Sequence, residues 1–198
     1  MAVNKILVRY GTQLLFADHA TDFAAQTPAT TANSMNIGTP TNVQMNFSVI
    51  AAAAGWESAK TAILADAVAT NNDFPEEWIF GACMESTATP ADAGTFDFYW
   101  NGSPSATAGT GNSGVASGVD SSIVVTGSNL SQLTFIGSLV VLAAVVNKST
   151  EIGRLQLPYL YGSLIIVNNT SVAMVADADA DECFVVATPV YPVVQAAA

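Results

Sequence analysis

The chain has 198 residues, a formal net charge of −11, 51% hydrophobic residues and only 11% charged ones. That length suits one domain with a sizeable core. Its five cations, Lys5, Arg9, Lys60, Lys148 and Arg154, are scattered. Nucleic-acid affinity needs clustered Lys and Arg on phosphates, so no direct nucleic-acid partner is expected.

Soluble domains usually carry about a quarter charged residues. Here Ser, Thr, Asn, Gly and Ala must cover the surface instead, which suits subunits that pack together or persist outside a cell. The acidic excess favours solubility and docking on a basic partner. The N-terminus lacks the apolar core of a secretion signal. The longest apolar run, residues 139–146, falls well short of the roughly 20 residues that span a bilayer. Synthesis in the cytoplasm and no membrane insertion are therefore expected.

Residues 1–41 hold two short apolar pieces, 5–9 and 13–17. A tract rich in Ala, Thr, Asn and Pro follows, without a sustained period. It reads as an arm that gains order by lying on something, with the folded domain over 42–198. Residues 42–49 give the clearest strand: Val43, Met45, Phe47 and Val49 alternate with polar residues. Residues 50–55 read as a turn. Residues 56–70 suit helix by alanine content, but a strand would put Ala59, Thr61, Ile63 and Ala65 on one face, and the strand reading is preferred. A turn follows at Asn71 to Pro75.

Residues 77–85 predict a strand with Trp78, Phe80, Ala82 and Met84 sharing a face. Residues 95–101 predict another, with Phe96, Phe98 and Trp100 on one side and Asp97 and Tyr99 on the other. Large aromatics bury about 150–250 Å² each, so this strand should anchor the core. A long Gly- and Ser-rich loop, 102–127, follows. Loops of that length without structure are usually functional or interfacial. Residues 132–142 read as a strand apolar on both faces, as in the centre of a sandwich. A turn is expected at 147–149, then strands at 151–157, 163–167 and 183–190, and a tail from Val193. These elements predict an all-β, antiparallel two-sheet sandwich of jelly-roll type with an extended N-terminal arm.

Catalytic constellations are sparse. His19 is the only histidine, so Ser-His-Asp and Cys-His chemistry would both depend on it. Cys83 and Cys183 lie in apolar runs and read as buried thiols; a disulfide stays open, because sequence does not show their separation. Asp177, Asp179 and Asp181 alternate like the start of a calcium loop. The positions that should hold Gly and Glu hold Glu182 and Thr188, so the pattern fails and a solvated acidic turn is preferred to a cation site. Glu76, Glu77 and Asp97 lie near aromatics, as in a sugar cleft, but strand-end charges explain them as well. The glycines of 109–114 lack the Lys-Ser/Thr ending of a phosphate loop. No catalytic, cofactor or metal residue is therefore assigned, and no cofactor is expected.

One stretch carries a resemblance. Phe98-Tyr-Trp-Asn-Gly-Ser-Pro-Ser-Ala-Thr-Ala-Gly-Thr-Gly-Asn112, continuing to Gly114 and Gly118, resembles a segment of structural proteins of tailed bacteriophages. The run Leu133-Thr-Phe-Ile-Gly-Ser-Leu139, the run Tyr161-Gly-Ser-Leu-Ile-Ile-Val-Asn-Asn169 and Ser58-Ala59-Lys60 fit the same pattern. The likeness spans roughly residues 56–190. Related segments often have Gly-Asn-Pro-Gly-Gly where this chain has Gly111-Asn-Ser-Gly-Val115.

The resemblance implies a non-enzymatic virion component, foremost a capsid decoration or cement protein. Its partners would be the major capsid protein or other virion proteins, and it would form a homo-oligomer. A tail, neck or fibre component is the alternative within that class. A jelly-roll module binding host-surface glycans is the alternative outside it.

Overall fold

The computed structural model describes residues 5–19, 37–47, 50–63, 75–91, 93–157, 159–175 and 183–195. In chain order the elements are β1 (Lys5–Tyr10), β2 (Leu14–Ala17), β3 (Thr41–Gln44), β4 (Gly55–Glu57), β5 (Thr61–Ala62), β6 (Glu77–Glu85), β7 (Thr95–Ser103), β8 (Ser121–Ile123), the short helix α1 (Gly127–Leu130), β9 (Thr134–Val140), β10 (Val146–Leu155), β11 (Tyr161–Asn168) and β12 (Phe184–Gln195).

They form two six-stranded sheets. Sheet A runs β10-β6-β12-β2-β3 with β1 also on β12; sheet B runs β8-β4-β11-β7-β9 with β5 also on β11. Every strand pair is antiparallel except β2 with β3.

The pairing is nested. First meets last in β2–β12, then β4–β11, β6–β10 and β7–β9. A long hairpin rolled onto itself gives this order, and it is the double Greek key of a jelly roll. The expected all-β sandwich is thus the fold.

The core follows from the period of two. Trp78, Phe80, Ala82 and Met84 of β6 face Phe96, Phe98 and Trp100 of β7, joined by Leu14, Phe16, Val43, Met45 and Phe47. The Trp100 ring lies 6.4 Å from both Phe16 and Phe80, edge-on to the first and tilted to the second. Aromatic pairs at such spacing add about 0.5–1.5 kcal/mol beyond burial. A smaller cluster on the outer side of sheet A joins Leu15, Ala17, Ile37, Cys83, Phe184 and Val186.

Several expectations change. The division after Thr41 does not separate an arm from a domain. β1 and β2 pair with β12, and Leu14, Leu15, Phe16 and Ala17 are buried, because apolar residues on both faces of β2 serve both clusters. Residues 20–36 of the expected arm lie outside the described residues. β9 is not central but the edge of sheet B. Residues 147–149, expected as a turn, lie within β10, and β12 runs on through Gln195 where a tail was expected. Residues 56–63 contribute β4 and β5, as the strand reading expected; residues 64–70 lie outside the described residues.

β9 and β10 cross where the two sheets meet. Each strand has a register irregularity there. A Cβ on Gly137 would collide with the Ile152 carbonyl, and one on Gly153 with the Ile136 carbonyl. The missing side chains let the two backbones touch and close this side of the sandwich.

Candidate functional site

The most organised polar site lies on the outer face of sheet B. Glu57 of β4, Ser163 of β11 and Asn101 of β7 occupy adjacent strands, with Ser163 opposite Asn101 and Ile165 opposite Glu57. These residues should be wet, since they point away from the core. Instead Glu57 is only 1% exposed and the other two are fully buried. The cover is the 104–120 loop, folded back over the sheet.

Glu57 holds that cover in place. Its Oε1 accepts from Ser163 Oγ at 2.6 Å and from the Gly118 N–H at 2.8 Å. Its Oε2 accepts from the Ser117 N–H at 2.6 Å and from Ser117 Oγ at 3.1 Å. Asn101 extends the row: its Nδ2 donates to Ser163 Oγ at 3.0 Å and its Oδ1 accepts from the Ser113 N–H at 2.9 Å. Buried charge is costly unless it is hydrogen-bonded, and charge-assisted bonds of this kind are the strong ones. Gly118 sits at φ +69°, in the left-handed region that favours glycine, and a Cβ there would also press on the Lys60 side chain, with Cε at 2.6 Å.

Lys60 ties down the other half of the loop. Its Nζ donates to Ser103 Oγ at 2.9 Å and to the carbonyls of Thr107 at 3.0 Å and Thr110 at 2.9 Å. Desolvation lowers its pKa, opposed by the nearby Glu57 carboxylate. Further along, Asp120 Oδ1 accepts from Trp56 Nε1 at 2.6 Å and from the Asn46 N–H at 2.9 Å. At Gly55 the methyls of Val125 and Ile123 fill the space that a side chain would take. The loop expected to be structureless is therefore a fitted cover that also supplies β8. With both Glu57 oxygens engaged by several donors, the carboxylate serves as an anchor.

The residues singled out from the sequence lie apart. His19 follows β2, its Nε2 3.0 Å from the Leu15 carbonyl. Glu77 is on sheet A, where it pairs with Arg154 at 3.1 Å. Asp97 is on sheet B and accepts from Ser138 Oγ at 2.6 Å and Asn169 Nδ2 at 2.7 Å. The carboxylates considered for a sugar cleft are thus on different sheets. Cys83 and Cys183 are free thiols, the first buried and the second half-buried, with Cys183 Sγ accepting from the Glu85 N–H at 3.2 Å. Asp177, Asp179 and Asp181 lie outside the described residues, and no group of metal-ligating side chains occurs among the described ones.

Sequence reasoning missed Glu57. Its signal was a lone carboxylate in an Ala-rich apolar stretch, one residue from Trp56, in a segment read as strand.

No helix among the described residues is long and apolar enough to cross a membrane. No protein-family model, curated protein or solved structure matches the chain.

Proposed function

We propose that the chain is a non-enzymatic virion structural protein of a tailed bacteriophage, a decoration or cement protein that binds the head surface through the major capsid protein. The observation that carries the reading is the edge of sheet B. Phe135, Val140 and Leu142, in and just after β9, are 52%, 56% and 69% exposed, in a chain whose buried carboxylate is engaged by its own loop. Apolar side chains exposed along a strand edge suit burial against another protein, at about 25 cal/mol per Å² of apolar surface removed from water.

Two further points support it. The low charge density fits a subunit with much of its surface in contact. Jelly rolls recur in viral coat and lectin domains, which is support by analogy of fold. Together with the sequence resemblance they favour attachment by contact energy, with no chemical step.

The test is an image reconstruction of the particle together with binding of Phe135→Asp to stripped particles. The reading expects many copies spread over the head and lower occupancy for the variant. A few copies at one vertex would move the protein to neck or tail, and no association with particles would sink the proposal.

A further inference from the structure

Where β1 turns into β2, an open cavity of about 510 Å³ lies against sheet A. Tyr10, Thr12, Gln13, Gly38, Thr39 and Thr188 line it. Thr188 shares the outer face of β12 with Phe184 and Val186 of the outer cluster, and Tyr10 stands opposite Val190 on that same face. The volume is that of a small-molecule site, about 300–1,000 Å³.

The walls are tied to the sandwich. On one side the Gly11 N–H donates to the Pro189 carbonyl at 3.0 Å. On the other, Ile37 is buried in the outer cluster, and the Thr41 N–H donates to the Gln13 carbonyl at 2.7 Å. The Gln13 side chain joins the two. Its Nε2 donates to Thr188 Oγ1 at 2.9 Å, and its Oε1 accepts from the Gly38 N–H at 3.0 Å. The amide is thereby fixed in orientation. A cavity held this way is preformed, so a ligand does not have to order it.

The lining selects the chemistry of the ligand. Among the described lining residues there is no carboxylate for a metal or an amine, and no Lys or Arg for a phosphate. Glu77, across Val190 from Tyr10, is engaged by Arg154 at 3.1 Å. An acyl chain would strip water from the hydroxyls of Thr12, Thr39 and Thr188 and from the Gln13 amide without replacing its hydrogen bonds, which is costly. These groups suit a ligand that donates and accepts at the same point. Thr188 accepts from Gln13 and keeps its own proton to donate, while Gln13 keeps one N–H and one oxygen lone pair. Tyr10 adds a ring that is 63% exposed, with an apolar face and a polar tip. A sugar ring offers the complement of both features, an apolar C–H face and a rim of hydroxyls.

We propose that this cavity is a binding site for an uncharged glycan, with a sugar ring laid on Tyr10 and its hydroxyls paired with Gln13 and Thr188. Such a site goes beyond attachment to a head surface, because it needs no capsid protein.

The test is amide NMR of the full chain titrated with lactose, cellobiose and chitobiose, with sialyllactose as the charged comparison. At least one of the neutral disaccharides should give saturable shifts at the amides of Gly11, Gly38 and Thr39. Tyr10→Ala should raise its dissociation constant about tenfold or more, as loss of an anchoring aromatic contact does. Tyr10→Phe keeps the ring and should stay within about threefold of the wild type. Far-UV circular dichroism and the melting midpoint should show both variants folded, as expected for an exposed position. No saturable shift with any neutral probe, shifts that map away from the cavity, equal binding by Tyr10→Ala, or tighter binding of sialyllactose than of lactose would each overturn the proposal. Head binding is measured separately, and its failure with glycan binding intact would count against the virion role only.

Discussion

The covered face of sheet B and the β1–β12 ribbon of sheet A, residues 5–10 paired with 190–195, invert the usual distribution of residues. On the first, a glutamate, an asparagine and a serine point outward and are nearly dry. On the second, valine and tyrosine point outward and are wet. The polar row is satisfied by the chain's own loop, through Ser113, Ser117 and Gly118. The ribbon has no comparable cover from another strand among the described residues. Buried polar groups that are fully bonded concern the fold, whereas apolar groups left in water are the candidates for contact with another molecule.

Substitutions of opposite chemistry should separate the two regions. Glu57→Ala should have the largest effect. It strips the acceptor from Ser163, Ser117 and Gly118 together, and equilibrium urea unfolding should show a loss of about 3 kcal/mol or more. Asn101→Ala should come next, at about 1–3 kcal/mol, because it removes a fully buried side chain that bonds both Ser163 Oγ and the half-buried Ser113 N–H. A loss below measurement error in both would mean that the row does not hold the cover.

Lys60→Met should cost under about 1 kcal/mol globally, since the lysine is partly exposed. Its mark should be local: faster amide exchange across residues 105–111, where its carbonyl ties to Thr107 and Thr110 are lost. On the ribbon, Val8→Asp should leave monomer stability within about 0.5 kcal/mol, as exposed substitutions usually do. A large loss there would show that the ribbon is internal structure.

The smallest effect is expected at Glu151. The Arg154 guanidinium donates to both its oxygens, at 2.7 and 3.0 Å, and holds its pKa below the ordinary carboxyl value. A depressed carboxyl pKa contributes stability that is present above the unfolded value and lost as pH falls through the folded one. The small difference in melting midpoint between wild type and Glu151→Gln should therefore be seen at neutral pH and vanish in acid. A difference that persists in acid would assign it to packing.

Much of the sandwich was legible because its strands alternate cleanly. In β6 the even positions enter the main core and Cys83, an odd one, enters the outer cluster. In β7 the aromatic side and the polar side separate as the period requires. β9 misled for a physical reason. Phe135, Val140 and Leu142 made it look buried on both faces, yet these residues are exposed at a sheet edge. The N-terminal segment misled in the other direction: β2 is short, and its pairing with β12 spans nearly the whole sequence.

The cover over Glu57 was not legible for a similar reason. Its anchoring groups are backbone N–H groups about sixty residues away, and backbone donors leave no mark in residue types. The Gly- and Ser-rich composition read as a loose loop. In the structure, the small residues let the backbone lie close on the sheet. Gly118, held between Glu57 and Lys60, is the clearest case.

Amide hydrogen exchange on the full chain, at several protein concentrations, addresses the contrast between the two regions most directly. The N–H groups of Ser113, Ser117 and Gly118 should exchange slowly at every concentration, because their protection comes from within one copy. Those of the β1–β12 ribbon, beyond the reach of β6 and β2, should exchange faster. Loop-like exchange at Ser117 and Gly118, or ribbon amides protected as strongly as these, would contradict this account.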